Sequence, residues 1–221
     1  MKTILMCLAA LLFGPSVSVD YRVEAINEAA PADAISDEIA AKLSPTGLRV
    51  FRGESRKMFD IWLCKEWDMP AETEAGDDII FSFQPGQLIG VIRFNNKGSD
   101  FRDQEISKGV YTMRYTLQPV DGDHVGTSPV RDFLLLIKSD DDKTAAILDY
   151  DAIVEKSAEA AETSHPAQFL LQKAEGDRKF PSMYHRETRD WWLLRCEGQA
   201  KRGEKVEKLQ LEVVLVGHAD E

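Results

Sequence analysis

The strongest constraint on the fold of this chain is a segment in which apolar and polar side chains alternate. In residues 110–117, one face carries Tyr111, Met113, Tyr115 and Leu117, and the other carries Thr112, Arg114 and Thr116. A period of two is typical of a β-strand, because successive side chains of a strand point to opposite faces of its sheet. We therefore expect a half-buried antiparallel strand here.

Strand-like runs recur along the chain without helices alternating between them. The run over residues 132–138 is apolar on both faces, which predicts a central strand. Consecutive strands without intervening helices favour antiparallel sheets. The sequence therefore predicts a mainly β fold, an antiparallel β-sandwich or jelly-roll-like domain with one or two short helices. About nine runs support this prediction, at residues 47–51, 58–67, 79–83, 88–94, 110–117, 132–138, 168–173, 191–196 and 209–216.

Two segments show helical rather than strand spacing. In residues 149–163, apolar or small side chains recur three or four positions apart, Asp149 can cap the first turn, and Pro166 follows the end. Ser36 can cap a short helix over residues 37–43 in the same way. The sequence thus predicts one main helix and one short one.

The first 18 residues have the layout of a secretory signal peptide. Lys2 supplies a positive charge, residues 3–13 are almost uninterruptedly apolar, and Ser16 and Ser18 are the small residues that a signal peptidase needs. The apolar run is shorter than the roughly 20 residues that span a bilayer as a helix. We expect residues 1–18 to be removed, which leaves an exported, soluble product without a transmembrane segment, in a periplasm or outside the cell.

The rest of the chain divides by composition. Residues 19–45 are rich in Ala, Glu and Asp, and we interpret them as an N-terminal leader segment that includes the short helix. Residues 46–221 are predicted to form a single β-sandwich domain, with its helix near residues 149–163.

Two cysteines remain after the predicted cleavage, Cys64 and Cys196. An oxidising compartment favours a disulfide between them, and a loop of this length would stabilise the fold by roughly 4–5 kcal/mol on the chain-entropy model. The alternative is a pair of buried free thiols, which behave as small apolar side chains. The sequence leaves both alternatives open.

The charge balance restricts the partners of the protein. The chain has 27 Lys and Arg residues against 38 Asp and Glu residues, a formal net charge of −11. Its electrostatic field repels phosphate backbones, so nucleic acid is disfavoured as a partner, and an extracellular or envelope ligand remains open. We expect the charged segments 100–105 and 140–142 to be solvated loops.

One loop combines the residue types of a metal site. Asp121, Asp123 and His124 lie within four residues of each other, and carboxylate oxygens with an imidazole nitrogen can bind a divalent cation. No established metal motif accompanies them, and Asp-Gly-Asp is also ordinary turn chemistry. We favour the turn, and therefore expect no cofactor and no metal. His124, with Arg131 and Asp132 after it, is a further candidate for ligand binding.

No catalytic motif accompanies this loop. Ser128 follows Gly126, but Val130 stands where the nucleophile elbow Gly-x-Ser-x-Gly requires a second glycine. The sequence therefore assigns no catalytic residue and favours a protein that is not an enzyme.

Two adjacent tryptophans form a second candidate site. Neighbouring strand residues point to opposite faces, so we expect one of Trp191 and Trp192 in the core and the other exposed or covered by a loop. An exposed indole beside Arg189 and Asp190 could stack on a sugar ring. A fully buried pair would need no ligand to explain it.

A longer pattern resembles a family of exported bacterial proteins of unknown function. It comprises Gly109-Val110-Tyr111-Thr112-Met113-Arg114-Tyr115, Gln118-Pro119, Asp121-Gly122-Asp123-His124, and Ser128-Pro129 through Arg131-Asp132-Phe133-Leu134-Leu135-Leu136. The resemblance covers residues 47–175 and implies an exported β-rich domain without indicating an activity.

Three hypotheses for function follow. The leading one is a non-catalytic protein that binds a ligand or takes part in an envelope or extracellular assembly. The alternatives are a metal-assisted hydrolase that uses Asp121, Asp123 and His124, and a carbohydrate-binding module that uses Trp191 or Trp192.

Overall fold

A computed structural model describes residues 20–70, 78–120 and 128–219. The predicted signal peptide lies outside these residues. The helices are α1 (Asp37–Lys42) and α2 (Tyr150–Ala161). The strands are β1 (Tyr21–Ile26), β2 (Gly47–Arg52), β3 (Arg56–Leu63), β4 (Trp67–Met69), β5 (Leu88–Phe94), β6 (Gly98–Ser99), β7 (Glu105–Ile106), β8 (Gly109–Leu117), β9 (Asp132–Lys138), β10 (Gln168–Lys173), β11 (Ser182–Arg186), β12 (Trp191–Arg202) and β13 (Lys205–Val216).

The described strands form one large curled sheet and a small β6–β7 hairpin, which confirms the predicted mainly β fold. The order in the large sheet is β1-β2-β3-β5-β8-β9-β10-β13-β12-β11, and β4 pairs with β12 outside this path. Neighbours along the path are antiparallel, whereas the β4–β12 pair is parallel, with Trp67 opposite Ala200. The last two strands, β12 and β13, form a long antiparallel hairpin.

The sheet turns from one layer of the sandwich to the other at β10. Residues 168–170 of this strand pair with β9, and residues 171–173 pair with β13. The main core is shared by both layers, with Trp62, Ile92 and Met113 from one and Leu194 and Leu211 from the other. Because the sheet curls, its two edge strands meet, and β1 lies against β11.

Both predicted helices are present. Ser36 caps α1 by accepting a hydrogen bond from the Ile39 backbone N–H, and Asp149 caps α2 by accepting one from Asp151. In the described part of the chain, neither helix is long and apolar enough to cross a membrane. The leader segment also contributes the edge strand β1 to the sheet, a strand that the sequence pattern did not reveal.

The expectation that β8 is half-buried was wrong. Its polar face is as inaccessible as its apolar face, because the segment after β9 covers it and places Asp142 against Arg114. The Arg114 guanidinium makes two hydrogen bonds to the Asp142 carboxylate, both of 2.8 Å, and three more to the backbone carbonyls of Gly86, Thr144 and Ala146.

The expectation of solvated loops at 100–105 and 140–142 needs a partial correction, since Asp103 and Asp140 are exposed but each segment also contains a buried carboxylate. Asp142 is buried, and so is Asp100, whose carboxylate accepts hydrogen bonds from the backbone N–H groups of Arg102, Gln104 and Gln168. Burial raises the pKa of Asp100 above its usual value. The segment 79–83 is not a strand, although Phe81 and Phe83 are buried.

Candidate functional site

The predicted metal loop cannot be compared with the structure. Asp121, Asp123 and His124 lie outside the described residues, so the hydrolase hypothesis stays a prediction. Within residues 20–70, 78–120 and 128–219, no cluster of three or more His, Cys, Asp or Glu side chains could hold a metal ion. The Ser128 hydroxyl donates to the backbone oxygen of Val130 at 2.7 Å, as an ordinary turn residue does.

Asp132, a sequence candidate for ligand binding, holds the segment before β5 in place. Its buried carboxylate accepts hydrogen bonds from the backbone N–H groups of Ile80 and Phe81, at 2.8 and 2.9 Å, and from the Tyr115 hydroxyl at 2.8 Å. Burial raises the pKa of Asp132 despite these bonds. A carboxylate with three internal donors is already satisfied, which favours a structural role.

Arg131 is also engaged internally. Its Nε donates to the Gln118 carbonyl at 2.8 Å, and its guanidinium lies 3.5 Å from the Asp78 carboxylate. Its contacts join the residue after β8 to the start of β9 and to Asp78.

The two tryptophans divide as the strand geometry predicts. Trp191 is 1% exposed, packs edge-on against Phe101, and donates its indole N–H to the His218 carbonyl at 2.9 Å. Trp192 is only half-buried. It belongs neither to the apolar cluster that contains Trp191 and Leu193 nor to the main core, which contains Leu194. The register shift between Trp192 and Leu193 marks the place where β12 departs from regular pairing. Trp192 is therefore the least buried of the four tryptophans, and it lines a cavity.

Aromatic side chains from both edge strands gather around Trp192. The His185 ring on β11 is stacked on the indole, with 4.9 Å between ring centroids and 16° between planes. Tyr21 on β1 contacts the same indole at 5.2 Å with its ring tilted by 55°. Because β1 lies against β11, the rings of Tyr21, His185 and Trp192 come together, and we call this group the aromatic wall.

Polar groups surround this aromatic wall. His185 Nε2 lies 2.7 Å from Asp190 Oδ1, and the Asp190 side chain remains 82% exposed. Asp103 and His218 line the same cavity, whose volume is about 380 Å³. Asp103 and Asp190 both have positive φ angles, 59° and 52°, conformations that non-glycine residues adopt at only a few per cent of positions.

A second cavity continues the first along the ends of β2 and β3. Its volume is about 350 Å³, and Tyr21, Arg52, Ser99, Asp103 and Val216 line both cavities. We call the combined space the seam groove. Further lining residues come from one cavity or the other: His185, Asp190, Trp192, Gly217 and His218 in the first, and Arg56, Met58, Phe59, Lys97, Gly98, Glu105 and Leu215 in the second.

The two cysteines lie at a different cavity of about 370 Å³, which both of them line. Both are free, buried thiols. Of the two alternatives that the sequence left open, the structure therefore has the pair of free thiols and not the disulfide. Burial raises the pKa of each thiol to about 12. Because the thiolate is the reactive form, these cysteines are unreactive near neutral pH.

Comparisons with protein-family models, with curated proteins and with solved structures found no match. The resemblance to a family of exported bacterial proteins therefore stays a prediction.

Proposed function

We propose that this protein is an exported, non-catalytic binding protein whose seam groove holds a saccharide. The observation that carries the proposal is the half-buried Trp192 in a groove that also presents Tyr21, His185 and exposed carboxylates. Apolar faces of sugar rings pack against aromatic side chains, while a few placed polar groups fix the orientation of a ligand. The groove combines both kinds of group.

The backbone that carries the polar groups forms turns before a ligand arrives. Asp190 ends a short 3₁₀ turn over Glu187–Arg189, and the Asp103 N–H donates to the Asp100 carbonyl at 3.2 Å. Although Asp190 Oδ1 contacts His185 Nε2, the Asp190 side chain is 82% exposed, and a carboxylate can accept further hydrogen bonds from hydroxyl groups. Because little conformational freedom remains to be lost in these turns, the cost of ordering the site on binding is small.

The signal peptide predicted for residues 1–18 supports the same proposal. An exported protein meets the polysaccharides of the envelope and the surroundings of the cell. Binding rather than chemistry is also what the sequence favours, since it presents no catalytic motif.

A glycan array followed by titration calorimetry tests the proposal. The protein should bind one or more glycans, and Trp192→Ala should weaken that binding at least tenfold because the aromatic wall is lost. Trp192→Phe should retain part of the affinity, and Ile147→Ala, an exposed apolar side chain outside the groove, should retain all of it. A folded protein that binds no glycan, or equal affinity in Trp192→Ala, would refute the proposal.

Tryptophan fluorescence supplies an independent measurement. Trp62, Trp67 and Trp191 are at most 1% exposed, so acrylamide should quench mainly Trp192. Trp192→Phe should remove the accessible component, and a bound glycan should protect it in the natural sequence. Quenching that a bound glycan leaves unchanged would place the glycan elsewhere.

A further inference from the structure

One row of aromatic and charged side chains crosses three neighbouring strands and lines the seam groove. Tyr21 on β1 is paired directly with Arg52 on β2, which is paired directly with Arg56 on β3. Directly paired residues of neighbouring strands lie on the same face of the sheet. All three side chains line the second cavity of the groove.

The two arginines face each other without compensation. Like charges on directly opposite residues destabilise a β-sheet. Among the described residues, neither Arg52 nor Arg56 forms a salt bridge, whereas Arg49, Arg93 and Arg114 each pair with a carboxylate. Both are exposed, and the Arg52 guanidinium lies 6.0 Å from the centre of the Tyr21 ring. Two guanidinium groups beside the Tyr21 ring are therefore available to bind a ligand.

The rest of the groove limits how much negative charge a ligand can carry. Lys97 is neutralised by Glu105, at 2.5 Å, next to the arginines. Asp190 places negative charge at the Trp192 end, Asp103 lines both cavities, and the whole chain carries a net charge of −11. A continuous polyanion would meet these carboxylates, so the groove fits a ligand with a localised anionic group.

We infer that the seam groove selects saccharides with an anionic substituent, a carboxylate or a sulfate held between Arg52 and Arg56 while the sugar packs against Tyr21 and Trp192. Guanidinium groups recognise both substituents through paired hydrogen bonds. This inference rests on the proposed function and specifies its ligand. The hydroxyl groups of the sugar then face Asp103 and Asp190.

Matched glycan pairs test the inference. We would measure binding of a galactose trisaccharide that carries one galacturonic acid residue against its methyl ester, and of a galactose trisaccharide with a single 6-sulfate against the unsulfated one, beside a general glycan array. The acid or the sulfate should bind at least tenfold more tightly than its neutral partner. The preference should shrink in 0.5 M NaCl, because salt screens exposed charges. The two pairs also show which substituent the arginines prefer.

The variants connect any preference to the arginine row. Arg52→Gln with Arg56→Gln should abolish the preference and leave binding of neutral glycans within about twofold, while Arg178→Gln, an exposed arginine outside the groove, should change neither. Because the double substitution removes a repulsion, its melting temperature should not fall.

Two kinds of failure are distinguishable. If neutral glycans bind as tightly as acidic ones, or if the preference survives the double substitution, the inference is wrong while the proposed function stands. If no glycan on the array binds, both are wrong.

Discussion

The buried pair of Arg114 and Asp142 allows the sharpest prediction about stability. Both side chains are completely inaccessible, and the guanidinium makes five hydrogen bonds that join the polar face of β8 to the segment after β9. In Arg114→Met, an apolar chain of similar length replaces the guanidinium. Asp142 then keeps the hydroxyl of Thr112, at 2.6 Å, but has no cation.

The expected loss follows from these contacts. Removing one partner of a buried ion pair costs about 3–5 kcal/mol, because the remaining charge is left without compensation. Three backbone carbonyls also lose a donor, although water can reach part of this partly exposed segment. We expect Arg114→Met to lower the free energy of unfolding by about 4 kcal/mol. For a chain of this size, that corresponds to a fall in melting temperature of about 8–16 °C.

Urea unfolding followed by circular dichroism measures this loss. Asp142→Ala should also destabilise the protein, and the double variant should lose about 2 kcal/mol less than the sum of the single variants, because the two residues interact directly. Lys143→Ala, which removes an exposed pair with Asp140, should cost less than about 0.5 kcal/mol. A loss below about 1 kcal/mol in Arg114→Met, or additive single variants, would refute the reasoning.

Two further predictions concern titratable groups. Burial alone would raise the pKa of Asp60, but hydrogen bonds from Arg49, Arg93 and Asn95 outweigh it and lower the pKa. The resulting stabilisation is fully present above the pKa that Asp60 has in the unfolded chain, about 4, and it is lost as the pH falls through the lower pKa of the folded state. In urea titrations between about pH 5 and pH 3, the free energy of unfolding should therefore fall less in Asp60→Asn than in the natural protein. Parallel pH profiles of the two proteins would contradict this. Because burial raises the pKa of both thiols to about 12, Cys64 and Cys196 in the reduced, folded protein should resist iodoacetamide at pH 8 and react fully in urea, as mass spectrometry would show. Rapid native alkylation would contradict it, and a mass two units lower before reduction would identify the disulfide alternative.

Much of the fold could be predicted because its central strands are long apolar runs that end at turns. The predicted runs 88–94, 132–138 and 168–173 coincide with β5, β9 and β10. The edge strands β1 and β11 escaped prediction, because half-exposed strands of mixed polarity lack both an apolar run and a strict alternation. Asp142 was taken as solvated because nothing in a local charge run reveals a cation 28 residues earlier.

The candidate site was only partly predictable for the same reason. Trp192 stands out in the sequence, and His185 and Asp190 lie in the same charged and aromatic segment. Tyr21, Arg52 and Asp103 come from distant parts of the chain, and only the curling of the sheet brings them to Trp192. The pairing of Arg52 with Arg56 across the short β2–β3 turn was a local signal that sequence reasoning missed.

The parallel pairing of β4 with β12 has a consequence for how the chain folds. Residues 67–69 find their partners at residues 200–202, near the other end of the chain. Contacts between residues this far apart in sequence slow folding, because a large loop must close before the contact forms. During synthesis, β4 can therefore pair with β12 only after almost the entire chain has been made. A protein shortened within β12 would lack the strand that lies beside the buried Trp67 side chain.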